Sequence, residues 1–334
     1  MVLFSLIVGF LPVLLFLGAL ILMDSYKLVS RRSVLQAIGV GCLAAGAALV
    51  VNRAALDGLR LDPLILKRYA APLVEEILKA AFVVFLIRSH RVGFMVDAGI
   101  QGFAVGTGFA LVENVYYAGT LGSFHPLLWI VRGLGTAIMH GSTTAMVAVL
   151  AKDLTDRHGS RALHWFLPGL LLAVGVHSFF NHLVLNPLLT TALLLLATPL
   201  LLLAVFERSE KVTGLWLGSN LDSDVELLEL ILSERMADSR VGRYLDSLRA
   251  RFPGPVVADM YCLLRIYLEL SLSAKGILLA RSAGIRIPPD AHVRANFEEL
   301  RFLERSIGPT GKLAILPFMR TSSRELWQLY MLEQ

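Results

Sequence analysis

Seven stretches of this chain are apolar over lengths that can cross a lipid bilayer, and nothing else in the sequence restricts its fold as strongly. They cover about residues 2–23, 34–51, 69–87, 93–118, 127–151, 163–186 and 188–206. A spanning helix needs roughly 20 predominantly apolar residues. Composition points the same way. The chain is 56% hydrophobic and 17% charged, where soluble domains carry about 25% charge, and its mean hydropathy is +0.66. The predicted fold class is all-α: a polytopic membrane protein of about seven transmembrane helices with a helical cytosolic domain behind them.

Charge placement gives an orientation. The first span lacks a basic leader and is followed by Lys27, Arg31 and Arg32, as expected of an uncleaved anchor with its N-terminus outside. The positive-inside rule then puts Arg88, Arg91, Lys152, Arg157, Arg161, Arg208 and Lys211 on the cytoplasmic side as well. The outer loops hold only Arg53, Arg60, Lys67 and Arg68, and none at 119–126. Residues 1–206 hold 14 Lys/Arg against 9 Asp/Glu, and residues 207–334 hold 17 of each. The basic excess therefore belongs to the membrane part and reads as topology, not as a nucleic-acid surface. The expected location is the cell membrane, multi-pass, with the C-terminus cytoplasmic. Two cysteines, Cys42 and Cys262, are too few and too far apart for a disulfide framework or a cysteine zinc site.

Two domains are expected, 1–206 in the membrane and 207–334 as a soluble all-helical unit. The second has helical-period segments at about 222–250, 256–283, 291–306 and 322–332, punctuated by Pro288-Pro289 and Gly308-Pro309. It carries no catalytic motif.

Ionisable groups inside spans are expensive and mark function. Span three carries Glu75, Glu76 and Lys79; span four Glu113 and Asn114; span five Arg132 and His140; span six His177 and Asn181. Glu75 and Lys79 are four residues apart and share a face, as do His177 and Asn181, while Arg132, Thr136, His140 and Thr144 form a polar stripe. In the predicted topology Glu75, Glu113, His140 and His177 all lie between the midplane and the outer face. Four helices that place costly residues at one depth predict one shared site. Gly102 and Gly106, with Gly99, Gly108, Gly133, Gly135 and Gly141, allow close helix packing or leave room for a substrate segment.

Such a cluster suits peptide hydrolysis, which needs a base for water and donors for the developing oxyanion. On this reading Glu75 is the base, His140 and His177 are acid/base groups or oxyanion donors, Asn181 is a neutral donor, and Lys79 or Arg132 pairs an ionised glutamate. Glutamates and histidines are also zinc or iron ligands, with Glu75, Glu113, His140 and His177 as the set and zinc as a candidate cofactor. No HExxH occurs, so the sequence leaves metal-bound and metal-free water activation both open.

The motifs resemble a known family. Glu75-Glu76-Ile-Leu-Lys79 resembles EExxK, Phe109-Ala-Leu-Val-Glu113-Asn114 resembles FxxxEN, and His140 and the HxxxN run His177-Ser-Phe-Phe-Asn181 follow in the same order. This set is similar to the PrsW family of intramembrane proteases, itself related to the CAAX-processing/bacteriocin-immunity (CPBP) protease group. The resemblance implies a multi-pass peptidase that cuts a membrane-bound protein in or beside the bilayer. It also implies Glu75 and Glu76 in water activation, with Glu113, His140, His177 and Asn181 completing the site. It further implies substrates such as membrane-bound anti-sigma factors. Two other readings use the same residues: a proton-coupled transporter, for which no inverted repeat is evident, and a non-catalytic scaffold.

Overall fold

The computed structural model describes residues 2–120, 129–285, 287, 291–319 and 322–333. The outer loop read at 119–126 lies outside them from residue 121, as does Pro288-Pro289, and so does the side chain of Arg132. Among the described residues the chain is helical throughout, with no strand. It divides into two compact units, up to Glu210 and from Lys211.

The first unit contains α1 (Val2–Met23), α2 (Arg31–Asp57), α3 (Ala71–Arg88), α4 (Met95–Thr120), α5 (Thr136–His158) and α6 (Leu167–His182), and α7 (Pro187–Leu232) begins in it. Local chemistry sets many of the ends. Ser30 caps α2, its hydroxyl accepting from Ser33 N at 3.1 Å. Asp97 accepts from Gly93 N and Phe94 N, both at 2.8 Å, and so closes the entry to α4. Gly159, at φ 58°, ends α5 in the left-handed conformation that glycine adopts without penalty.

Among the described residues five helical stretches are long and apolar enough to cross a membrane: Arg31–Asp57, Met95–Gly119, Gly133–His158, Leu163–His182 and Pro187–Leu232. A shorter apolar helix covers Gly9–Met23. The expected third span, α3, is not among the five, because Glu75, Glu76, Lys79 and Arg88 charge its eighteen residues.

Helix α4 is the centre of this unit, packed on α5, α2 and α1 and buried along most of its length. Small residues permit that position. A methyl group built on Gly102 would meet Thr144 O at 2.7 Å, and one on Gly106 would fall 2.6 Å from Gly141 Cα and inside the contact radius of His140 O. On its other side Gly108 abuts the Ile38 carbonyl, and Gly41 of α2 lies against Phe109 N. The backbone of α4 thus touches two neighbours directly.

Two π-helical turns precede the catalytic-candidate helices. Leu66–Ala70 leads into α3 and Ile130–Gly135 into α5. A π-turn spoils the i→i−4 ladder and frees carbonyls. Side chains from other helices take them. Asn181 Nδ2 donates to Lys67 O at 3.0 Å and Ser178 Oγ to Arg68 O at 2.5 Å. Asn114 Nδ2 donates to Gly133 O at 3.2 Å and to Gly9 O at 3.1 Å.

In the second unit the tail differs from expectation. Helix α7 continues to Leu232, although the charges from Glu207 to Lys211 end the apolar run. Those residues are good helix formers, so they limit the lipid-compatible stretch without limiting the helix. The helix expected over 222–250 is instead broken between Leu232 and Arg240, where Ser239 caps α8 (Arg240–Ser247) by accepting from Gly242 N at 2.9 Å. Helices α9 (Gly254–Ser282), α10 (Ala291–Ile315) and α11 (Ser323–Glu333) follow. Gly308, at φ 66°, kinks α10 just before Pro309. Leu263, Leu264, Tyr267 and Leu268 of α9 form a core with Leu300, Leu303 and Ile307 of α10. Lys275 is fully buried there, paired with Asp224.

Candidate active site

Three helices meet around Glu76 of α3, which has no exposed surface. Its Oε1 accepts from Lys79 Nζ at 2.7 Å, from His177 Nδ1 of α6 at 2.8 Å and from Thr143 Oγ1 of α5 at 3.2 Å. Its Oε2 is buried and has no hydrogen-bond partner among the described residues. The expected Glu75–Lys79 face-sharing thus gives way to a Glu76–Lys79 pair at i,i+3, fully buried on both sides. Lys79 points inward among α5 residues, 5.2 Å from the centre of the Phe109 ring, and Glu76 is the carboxylate on that inner face.

The same ammonium lies 3.1 Å from His140 Nδ1. An ammonium only donates, so Nδ1 accepts, and the proton of a neutral His140 sits on Nε2. That Nε2 is 2.8 Å from Glu113 Oε2 of α4. His177 has the opposite tautomer. Its Nδ1–H is given to Glu76, and its Nε2 lies 3.7 Å from Glu75 Oε2. The two imidazoles meet edge to face at 4.9 Å.

Glu75 and Glu113 retain 13% and 19% side-chain exposure, which separates them from the sealed Glu76. Both line a cleft of about 280 Å³ together with His177, Asn181 and Phe109. Lys67 and Tyr116 also line it, and Ala45, Ala48, Leu49 and Asn52 of α2 form one wall. The structure therefore brings Glu75, Glu76, Lys79, Glu113, His140 and His177 into one network. Asn181 reaches the cleft while giving an N–H to Lys67 O. Asn114 faces away, with its amide nitrogen shared between two backbone carbonyls.

The polar stripe on α5 is mostly spent on its own backbone. Thr136 Oγ1 donates to Val131 O and Thr144 Oγ1 to His140 O. Thr143, off that stripe, enters the network, and sequence reasoning missed it because a threonine in a span is usually bonded to its own helix. Asn52 was missed too. Its Nδ2 donates to Glu75 Oε1 at 3.2 Å. Its signal was faint: an amide one residue past the apolar run read as span two, at the end read as outer.

Three of these donors are close enough together to hold a divalent metal. One ligand atom each from Glu75, His140 and His177 lie within 4.8 Å of one another. His177 is the best prepared, since metal-bound histidines commonly pass their other N–H to a carboxylate, as Nδ1 does here to Glu76. His140 could join only with its proton moved to Nδ1, opposite a Lys79 that accepts instead of donating.

A bundle of apolar helices that encloses carboxylates and imidazoles around a cleft is the build of a polytopic membrane protein with a buried polar site. Comparison with known families specifies it. The profile described as "PrsW family intramembrane metalloprotease" matches residues 29–206, more than half of the chain. The chain belongs to the PrsW family and is an intramembrane protease, a multi-pass integral membrane protein acting on membrane protein substrates. No curated protein and no solved structure matches it.

Proposed function

We propose that the chain hydrolyses a peptide bond of a membrane-bound protein at the cleft between α2, α3, α4 and α6, with Glu75, Glu76, Glu113, His140, His177 and Asn181 as its working residues. The observation that carries this reading is the division of labour between adjacent glutamates. Glu76 is sealed and saturated by donors on one oxygen, while Glu75 lines the cleft beside the free Nε2 of His177. A water held between Glu75 and His177 loses its proton to Glu75 as its oxygen attacks the substrate carbonyl. The tetrahedral oxyanion takes a hydrogen bond from the second N–H of Asn181, and His140, whose Nε2–H is held by Glu113, fixes the carboxylate of Glu113 at the cleft. Glu75 then returns the proton to the leaving amine. Glu76 and Lys79 hold the two histidines in opposite tautomers, and Asn114 fixes the approach of α5.

If a metal such as zinc is bound, Glu75, His177 and His140 hold it, with Glu113 adjacent, and it polarises water and carbonyl. The family's description as a metalloprotease supports that version. The hydrogen bonding of His140 to Lys79 favours a metal-free site.

The finer topology also belongs to this proposal: seven spans formed by α1–α7, the N-terminus outside, residues 207–334 in the cytosol, and the cleft toward the extracytoplasmic half of the cell membrane. Loop charges support it. Anti-sigma factors are the proposed substrate class, and the motif order supports kinship with the CPBP group.

The test is cleavage of a single-span substrate library by detergent-purified protein, with metal content measured on the same sample. Glu75→Gln and His177→Ala should each abolish cleavage while the protein stays folded. Full activity in Glu75→Gln would end its assignment as the base. Loss with chelator and recovery with zinc would identify the metal version, and chelator-insensitive cleavage by metal-free protein the glutamate version.

A further inference from the structure

The wall of the cleft supplied by α2 is apolar except at one place. Ala45, Ala48, Leu49, Asn52 and Leu56 recur at helical spacing and face the cavity. Asn52 Nδ2 donates to Glu75 Oε1 at 3.2 Å. Asn52 Oδ1 is buried and has no hydrogen-bond partner among the described residues. An amide oxygen shut away from water without a donor is costly, and such an atom on a cleft wall calls for a ligand group. It can only accept, so the missing group is an N–H or O–H.

Intramembrane cleavage supplies such a group by necessity. A spanning substrate satisfies its backbone internally while helical. Its carbonyl can be attacked only where the helix is unwound, and each unwound residue then presents an N–H that has lost its i−4 acceptor. An apolar cleft must offer that acceptor itself.

Resting on the assignment of Glu75 as base, we infer that Asn52 aligns the substrate with the base: Nδ2 holds the Glu75 carboxylate, and Oδ1 takes a main-chain N–H of the unwound substrate strand. The two atoms share one carbon, so one planar amide ties the position of the strand to that of the carboxylate. The pairing recognises backbone and not side chain, and it suits any substrate segment that can be unwound beside it.

The experiment uses full-length protein in detergent and a synthetic single-span peptide that the wild type cleaves. Backbone N–H groups within three residues of the scissile bond are replaced one at a time by ester oxygens. Enzymes compared are wild type, Asn52→Leu, Asn52→Asp and, as a reference, Glu75→Gln, each checked for thermal stability. Asn52→Leu should lower kcat/KM by about 10–100-fold, the worth of a hydrogen bond to a charged group. One ester position should cost the wild type about tenfold and cost Asn52→Leu nothing further. Asn52→Asp keeps the accepting oxygen and loses the donor, so it should keep sensitivity to that ester while kcat falls. It also serves as the nearly isosteric variant should the leucine enzyme unfold.

Esters that affect wild type and Asn52→Leu equally at every position would overturn the substrate contact and leave Oδ1 to a water. An unchanged kcat in both variants would overturn the hold on Glu75. Glu75→Gln that cleaves like wild type would instead refute the base assignment, and the ester coupling at Asn52 would still be readable in that background.

Discussion

Replacing Gly106 with alanine tests whether the α4–α5 contact sets the active geometry. The new methyl carbon would fall 2.6 Å from Gly141 Cα and closer still to the carbonyl of His140, where ordinary contact begins at 3.4 Å. Both obstacles are backbone, so neither can rotate away, and the helices must separate by about 0.8 Å or more. Overpacking of this kind costs about 1–3 kcal/mol. Alanine returns up to about 1 kcal/mol in helix propensity, so a net loss of about 1 kcal/mol is expected. The catalytic effect should be larger. The His140–Glu113 contact is 2.8 Å, and a shift of that size takes it to about 3.6 Å, beyond hydrogen-bond range. Misplacement by about 1 Å can cost ~100-fold in rate. Thermal melting in detergent and cleavage of a single-span substrate give both numbers. Gly39→Ala is the control, since its methyl would meet nothing within 4 Å, and it should match or exceed wild-type stability with full activity. A Gly106→Ala enzyme that melts and cleaves like wild type would refute the argument that this backbone contact fixes the site.

Three further outcomes are expected. Glu76→Gln strands a fully buried Lys79 and should cost about 3–5 kcal/mol, so it should melt well below Glu75→Gln in a side-by-side denaturation. Asn114→Leu removes donors from Gly9 O and Gly133 O and should cost about 2–4 kcal/mol, with faster hydrogen exchange over 130–136 read by mass spectrometry. His90, in the loop between α3 and α4, is pushed down to about 4 by burial, with Arg161 and Lys152 adding to the effect. The folded protein thus keeps it neutral while the unfolded chain takes a proton near 6.5, so this contribution is intact above pH 6.5 and is lost as pH falls toward 4. His90→Gln should flatten the fall in melting temperature between those pH values.

The helical fold was legible because an apolar run of twenty residues in a bilayer has few alternatives. Glu75, Glu113, His140 and His177 were legible as candidates because each is expensive in an apolar run and the loop charges predict one depth for all four. Partner choice was not. Helical spacing put Lys79 with Glu75, yet one residue of rotation decides which carboxylate faces inward, and α5 supplies that decision through His140 and Thr143. The π-turns were invisible, since Leu66–Ala70 and Ile130–Gly135 hold ordinary helix-compatible residues and are held by amides and hydroxyls from distant segments. Asn52 escaped notice because it falls one residue past the apolar run read as span two, where a polar residue costs little. Its role depends on Glu75, 23 positions later.

The charge on α3 bears on how such a protein is made. As the third of the proposed spans, it presents Glu75, Glu76 and Lys79 to a membrane that charges each about 2.5–3.5 kcal/mol at mid-helix. The Glu76–Lys79 pair within the helix relieves part of that, but Glu75 meets Asn52 of α2 and His177 of α6. During synthesis α2 is already in place, whereas α6 emerges about a hundred residues later. Until His177 arrives the segment is a poor guest in lipid, best retained beside the insertion machinery or against its neighbours. With the proposed site, the nascent chain is inert as a protease until α6 has entered, and a molecule that fails to gather these helices displays unneutralised charge in the bilayer, where quality control can detect it.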